Sequence, residues 1–188
     1  MRHKCVCALA ALLTLPAWVR GETPRTQLSL NYSSVTLRVS GESTGMPIGW
    51  NAAAIFSVTD SLGIVLDAGG NYRTESDEFE GVDFDATLKE HTVQAGIRWS
   101  SFGNATITPW IQGLAGLSML TASVEVLGES EGDTVTDFMV QPGVGVDVKI
   151  GDSATLGVAL DYGWVFGEGE TFGVLRVRGG VTFRFGQR

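Results

Sequence analysis

The feature that most constrains this chain is a strict alternation of apolar and polar or small residues, carried from one segment to the next. At the C-terminal end, Leu175, Val177, Val181, Phe183 and Phe185 alternate with Arg176, Arg178, Gly180, Thr182 and Arg184. The same spacing of two runs through Phe138–Ile150, Leu156–Phe166, Leu62–Arg73, Glu90–Ser100, Ile48–Val58 and Ile107–Met119. A strand sends successive side chains to opposite faces, so each segment has one greasy face and one polar or small face. On the segment at Ile107–Met119, Trp110 and Leu114 fall on the smaller-residue face. A first strand near Leu28-Leu30-Tyr32 loses phase at Ser33-Ser34. The expectation is eight strands and no helices.

The connections alternate in length. Thr59–Ser61, Ser101–Ala105 and Gly151–Ala154 are short turns. Arg38–Pro47, Thr74–Thr87, Thr121–Asp137 and the shorter Gly167–Thr171 read as polar loops. Short, long, short, long puts all turns at one end and all loops at the other.

The N-terminus has Arg2 and Lys4, then an apolar run, then Arg20-Gly21. That is the layout of a cleaved signal peptide, expected over residues 1–21, with one domain over 22–188. Its removal takes Cys5 and Cys7, leaving no thiol chemistry. It takes three of the 13 basic residues and none of the 21 acidic ones, so the mature chain is more acidic than the −8 of the whole sequence. An acidic exported protein is a poor nucleic-acid binder. No mature segment is apolar enough to cross a membrane as a helix.

Eight alternating strands make either a soluble barrel, greasy face inward, or a bilayer barrel, greasy face to lipid. Three features select the second. The polar faces are mostly Gly, Ala, Ser, Thr and Gln, with charges of both signs: Asp67, Glu90, Asp147 and Asp161 with Arg98, Lys149, Arg176, Arg178 and Arg184. That suits a crowded interior held by ion pairs. In it Arg176, Arg178 and Arg184 are expected to pair with Asp161, Asp147 and Glu90. Aromatic residues gather near strand ends on the greasy face, as in interfacial girdles. The loops are long at one end and short at the other. The fold class is therefore an all-β, eight-stranded, antiparallel, up-and-down transmembrane barrel.

The chain resembles the small outer-membrane barrels of Gram-negative bacteria, the OmpA transmembrane domain/OmpX-like group, from Gln27 to Phe185. The sharpest match is the assembly signal, a polar residue, a glycine and two spaced aromatics: Arg178, Gly180, Phe183 and Phe185. Here Gly186-Gln187-Arg188 follow the last aromatic, where such proteins usually stop. The stretch from Val140 to Trp164 is similar to the family's hairpin between strands six and seven. The resemblance implies residence in the bacterial outer membrane, with its lipid, lipopolysaccharide and the barrel-assembly machinery as partners. OmpA-like chains often continue into a peptidoglycan-binding domain; this one ends with the barrel, so no wall-anchoring role is implied.

Catalysis has little to work with. Some barrels of this size modify lipid A, and the one mature histidine, His91, falls on the lipid face near the loop end. Two residues on stands Val93 rather than a serine, and Thr92 points inward, so an interfacial role is expected and no enzyme. The acidic stretch Glu75, Asp77, Glu78, Glu80, Asp83, Asp85 lacks the ordered spacing of an EF-hand and reads as a solvated loop. No metal or cofactor is expected. A wide pore is excluded, because eight strands enclose only enough room for side chains. The functional expectation is a structural or surface-interaction role through the loops, which could meet an extracellular ligand. The alternatives are a lipid A-modifying enzyme, a narrow gated pore and a soluble lipocalin-like binding barrel.

Overall fold

The computed structural model describes residues 23–39, 42–79, 82–101, 106–126, 129–167 and 171–187. The signal-peptide expectation for residues 1–21, and most of the turn at 101–105, lie outside them. The strands are β1 (Pro24–Val39), β2 (Glu42–Met46), β3 (Ile48–Ser57), β4 (Leu62–Phe79), β5 (Val82–Ser100), β6 (Ile107–Val126), β7 (Glu129–Lys149), β8 (Ala154–Phe166) and β9 (Thr171–Gln187). They form one antiparallel sheet in the order β2-β1-β3-β4-β5-β6-β7-β8-β9, and β1 also pairs with β9. That last pairing closes the sheet into a barrel.

The barrel has eight walls, because β2 and β3 share one of them. Both pair with β1, and Pro47 separates them. Val35 faces Met46, while Tyr32 faces Trp50, a register shift of one residue. Met46 is buried inside while Ile48, two residues on, is exposed outside. Proline has no N–H to give to the ladder, so the strand bulges there.

The alternation sets the faces. Leu28, Leu30, Ile64, Leu66, Val93, Ile97, Val144, Leu156, Val158, Val177, Phe183 and Phe185 are exposed on the outer face. Gln27, Ser29, Asn51, Asp67, Gln94, Gln112, Gln141, Asp161, Arg176 and Arg178 are buried on the inner one. The outer apolar band of β4 runs from Leu62 to Tyr72 and that of β8 from Leu156 to Phe166. Each is eleven residues long, which matches the roughly 9–11 that a tilted strand needs to cross a bilayer.

The loop expectations are corrected. The stretch 38–47 holds β2, paired with the end of β1, Arg38 opposite Ser43. The described residues of 74–87 and 121–137 are ladders too, with Glu75 opposite Ala86 and Thr121 opposite Thr134. Apolar alternation stops there because both faces meet water above the bilayer, while the backbone pairing continues. Beyond Tyr72, β4 runs seven more residues, about 20 Å at a strand's rise. In β1 the apolar phase does change at Ser33-Ser34, while the strand itself is continuous: its apolar residues change sides, from Leu28, Leu30 and Tyr32 outside to Val35 and Leu37 inside.

The outer face yields a stability prediction. Leu66 lies outside at mid-span, between Ala54 and Ala95. Leu66→Arg should lower stability by about 2–4 kcal/mol, the cost of an arginine at the bilayer midplane. Urea titration of the protein refolded in lipid vesicles checks it; an unchanged midpoint would place this face away from lipid.

Candidate functional site

Toward the short turns the interior holds a small apolar cluster of Ala53, Ile55, Val65 and Leu114. Three storeys follow outward from there, and the first is an ion cluster made by four charged residues from three strands, Asp67 of β4, Asp161 of β8, and Arg176 and Arg178 of β9. Arg178 grips Asp161 with two parallel bonds, Nε to Oδ2 at 2.7 Å and Nη2 to Oδ1 at 3.0 Å. Its Nη1 donates to Asn51 Oδ1 at 2.9 Å and to Asp67 Oδ2 at 3.3 Å. Arg176 Nη2 donates to Asp67 Oδ1 at 3.3 Å, and its Nε lies 3.5 Å from Asp161 Oδ2. Each arginine therefore meets both aspartates. With its amide turned so that Oε1 faces the guanidinium, Gln141 accepts from Arg176 at 2.5 and 3.2 Å.

Amides and an indole carry the network outward. Asn51 Nδ2 donates to Asp67 Oδ1 at 2.9 Å, and Gln112 Nε2 to Asp161 Oδ1 at 3.1 Å. Gln112 Oε1 accepts from Arg98 at 2.7 and 3.2 Å. The Arg98 guanidinium stacks 3.9 Å from the centre of the Trp110 ring, a cation–π contact in a dry site. Glycines make the room: a Cβ at Gly143 would stand 1.9 Å from Asp161 Oδ1, and one at Gly145 2.2 Å from the Trp110 ring. Between Arg98, Trp110, Asp147 and Arg178 the free volume is about 10 Å³, at the lower limit for a single water.

The sequence-derived charges separate into groups. Asp67, Asp161, Arg176 and Arg178 meet, with Arg98 joined through Gln112. Asp67, not Asp147 or Glu90, is the second carboxylate of the cluster. Asp147 is buried beside Gly157, lower on the wall. Glu90 is buried above and accepts from Ser118 Oγ at 3.3 Å. Arg184 is half-buried near the short-turn end, where it donates to Thr108 Oγ1 at 3.3 Å. Lys149 has the inward phase but stands at the rim, 39% exposed, 3.5 Å from Asp152 of the turn. At the end of the strand the interior is open to water, so an inward phase does not bury the side chain.

The second storey was not foreseen. Val35, Leu37, Met46, Met139, Val165 and Val174 form a buried apolar cluster directly above the ions, with Leu88, Leu120 and Phe172 packed against it. Its signal was in the sequence as apolar residues on the polar phase: Val35 and Leu37, Met139, Val165. They fill the lumen as a plug.

The third storey is a vestibule of about 680 Å³ above the plug, between the extended ladders of β4 to β7. Leu88, Ala122 and Val124 give it apolar walls. Arg73 pairs with Glu75 at its edge, and Glu131 and Asp133 stand opposite. The acidic stretch of the sequence supplies this end. Glu75 lines the cavity; Asp77 faces Phe84 and Glu78 faces Asp83 along the hairpin, Asp85 lies opposite Ser76 and Glu125, and Glu80 lies outside the described residues.

On the outer wall, Tyr72 Oη accepts from Trp50 Nε1 at 3.2 Å and lies 3.1 Å from His91 Nε2. Tyr32 donates to the Pro47 carbonyl. Among the described residues His91 has Tyr72 as its hydrogen-bond partner and no serine or carboxylate. The row of Tyr72 continues through Lys89, Thr121 and Thr134, with the two hydroxyls 2.8 Å apart. The wall changes there from aromatic to polar.

A model of the outer membrane protein beta-barrel domain matches residues 5–185. The chain belongs to this family. It is a bacterial outer-membrane protein, and barrels of this kind keep their short turns at the periplasmic end. No curated protein matches it in sequence. Its fold is similar to that of Ail, the attachment invasion locus protein of Yersinia pestis, solved in complex with the heparin analogue sucrose octasulfate. They share 17% identity over 86% of this chain and 99% of that one, with a TM-score of 0.63. Neisserial surface protein A is 15% identical over 88% of this chain and 100% of that one, at 0.62. OprG of Pseudomonas aeruginosa is 10% identical over 89% and 99%, at 0.51. At these identities the likeness is one of fold.

The four residues expected to form the assembly signal have separate places in the barrel. Phe183 and Phe185 face lipid, Arg178 is in the ion cluster, and a Cβ at Gly180 would meet the Leu30 carbonyl at 2.1 Å across the β1–β9 seam. Removing one partner from the cluster leaves buried charge uncompensated. Asp161→Ala should lower stability by about 3–5 kcal/mol, and Asp147→Ala by less, since Asp161 meets two arginines while Asp147 closes no ion pair among the described residues. Urea midpoints of both variants in vesicles check this ranking.

Proposed function

We propose that this protein is a non-catalytic surface-interaction barrel whose rigid outer hairpins present an acidic face to an external partner. The observation that carries this is the extension of β4 to β7 beyond the girdle as paired ladders, combined with a lumen filled below them by the apolar plug. A closed lumen argues for work at the outer end rather than passage through the wall. The hairpins are rich in carboxylates, including Glu75, Asp77, Glu78, Asp83, Asp85, Glu129, Glu131 and Asp133, against few basic residues. Charge complementarity then favours a basic partner. A sulfated ligand of the kind bound by the similar Ail barrel would be repelled.

The lipid-facing partners follow from the wall. Lipopolysaccharide would meet the Tyr32, Trp50 and Tyr72 girdle and the Lys89, Thr121 and Thr134 side chains that continue the row of Tyr72. Phe183 and Phe185 would be read by the assembly machinery before they meet lipid. The engagement of His91 by Tyr72 supports an interfacial role over catalysis, and the plug supports a non-conducting barrel over a gated pore.

The test is binding of the barrel in zwitterionic-lipid nanodiscs to immobilised polylysine and to heparin. Binding to polylysine alone, weakening as salt rises, is expected. Preference for heparin would overturn the reading. Two further outcomes are expected: His91→Ala leaves the lipid A profile of expressing cells unchanged, and the protein in planar bilayers shows no discrete conductance steps. Altered lipid A would restore the enzyme, and steps would restore the pore.

A further inference from the structure

We infer that the outer vestibule is a binding site for a small organic cation that carries an apolar group. The surface reading proposed above concerns the outer hairpins as a face for a macromolecule, and this inference rests on that outer end being ligand-facing. The vestibule itself differs from a solvated acidic loop in having a shape and a floor. Its volume, about 680 Å³, falls in the range of roughly 300–1,000 Å³ of small-molecule sites. Its walls are paired strands in register, Arg73 opposite Leu88, Leu88 opposite Ala122, and Ala122 opposite Asp133, with Glu75, Ala86, Val124 and Glu131 in the next row. The cavity is thus preformed by backbone pairing, and a ligand would have little ordering to impose.

The chemistry of the lining is divided. On the β5–β6 side stand Leu88, Ala122 and Val124, and Leu88 also packs against the buried plug, so it joins the two. Val124 is 48% exposed into it, an apolar side chain in a water-filled space at no evident gain to folding. On the β7 side stand Glu131 and Asp133, exposed and without a salt bridge among the described residues. The one cation of the lining, Arg73, is held by Glu75 and by its own bond to the Gly45 carbonyl at 3.0 Å. Two uncompensated carboxylates across from an apolar wall fit a cation bearing a ring or short alkyl group. An anion would meet two like charges, and a bare polyamine would leave the apolar wall in contact with water.

The test uses the whole barrel refolded in nanodiscs of zwitterionic lipid, with Leu88 and Val124 methyl groups observed by NMR. The probes are benzyltrimethylammonium, tetramethylammonium and benzenesulfonate. Saturable shifts with benzyltrimethylammonium, weaker ones with tetramethylammonium and none with benzenesulfonate are expected. Combining Glu131→Gln with Asp133→Asn should weaken binding by about tenfold, as two facing charges are lost. Ala122→Trp should abolish it by filling the space, in protein that still shows the folded, heat-modifiable gel band. Equal response to the three probes, no saturation, or unchanged affinity in the charge-neutralised protein would overturn the inference. Polylysine binding read in the same samples separates the two proposals. If it persists without benzyltrimethylammonium binding, the vestibule inference alone falls. If it is lost while the probe still binds, the macromolecular reading alone falls.

Discussion

A peptide group inside a bilayer has no water to bond, so every N–H and C=O at that depth must find a partner in the chain. The rest of the structure depends on this constraint. It forces the sheet to close, and closure falls to β1 and β9, which pair from Thr26 opposite Phe185 up to Arg38 opposite Gly173. Closing eight strands fixes a narrow lumen. A narrow lumen in turn restricts what the inward phase can carry: glycine where a large side chain leans across, amides and hydroxyls along the wall, and charges only in mutual contact.

Within that lumen the ion cluster and the plug solve different problems. Asp67 and Asp161 are shared between Arg176 and Arg178, so no one bond carries the whole compensation of a buried charge, and Asn51, Gln112 and Gln141 occupy remaining donors and acceptors. Buried ion pairs are weak contributors to net stability but severe when broken. Their arrangement here specifies one alignment of β4, β8 and β9. The plug needs no such specificity. It excludes water by volume, and Leu88 links it to the vestibule above.

The eight strands, their faces and the membrane setting were legible in the sequence because one physical rule, apolar to lipid, governs every residue at bilayer depth. Above the girdle that rule lapses, and legibility lapses with it. The stretches 74–87 and 121–137 look like loops because both faces meet water, although their described residues pair as ladders. Val35 and Leu37 shift the apolar phase of β1 because the lumen above the ions is apolar, and Met139 and Val165 stand on the polar phase for the same reason. The charges were found as a set from their phase, but their partners were not. Asp67 joins Arg178 across 111 residues of sequence, and neither spacing nor phase encodes which strands face each other across a lumen. The vestibule was invisible for a related reason, since it exists only where four strand extensions stand around a space.

The β1–β9 seam carries a consequence for how the barrel comes into being. Ser29 bonds Thr182 across 153 residues, so the two edges that must meet are the first and last to be synthesised. Until β9 arrives, the nascent sheet has two open edges, each a template for adhesion to another chain. Local hairpins can form early, since their loops are cheap to close, but the ring cannot. Asp161 sits opposite Arg176 within the β8–β9 hairpin and meets its arginines when that hairpin forms. Closure of the ring brings Asp67 of β4 to the same two arginines across the lumen, so a sheet still open at the seam would hold Asp67 without its counter-ions.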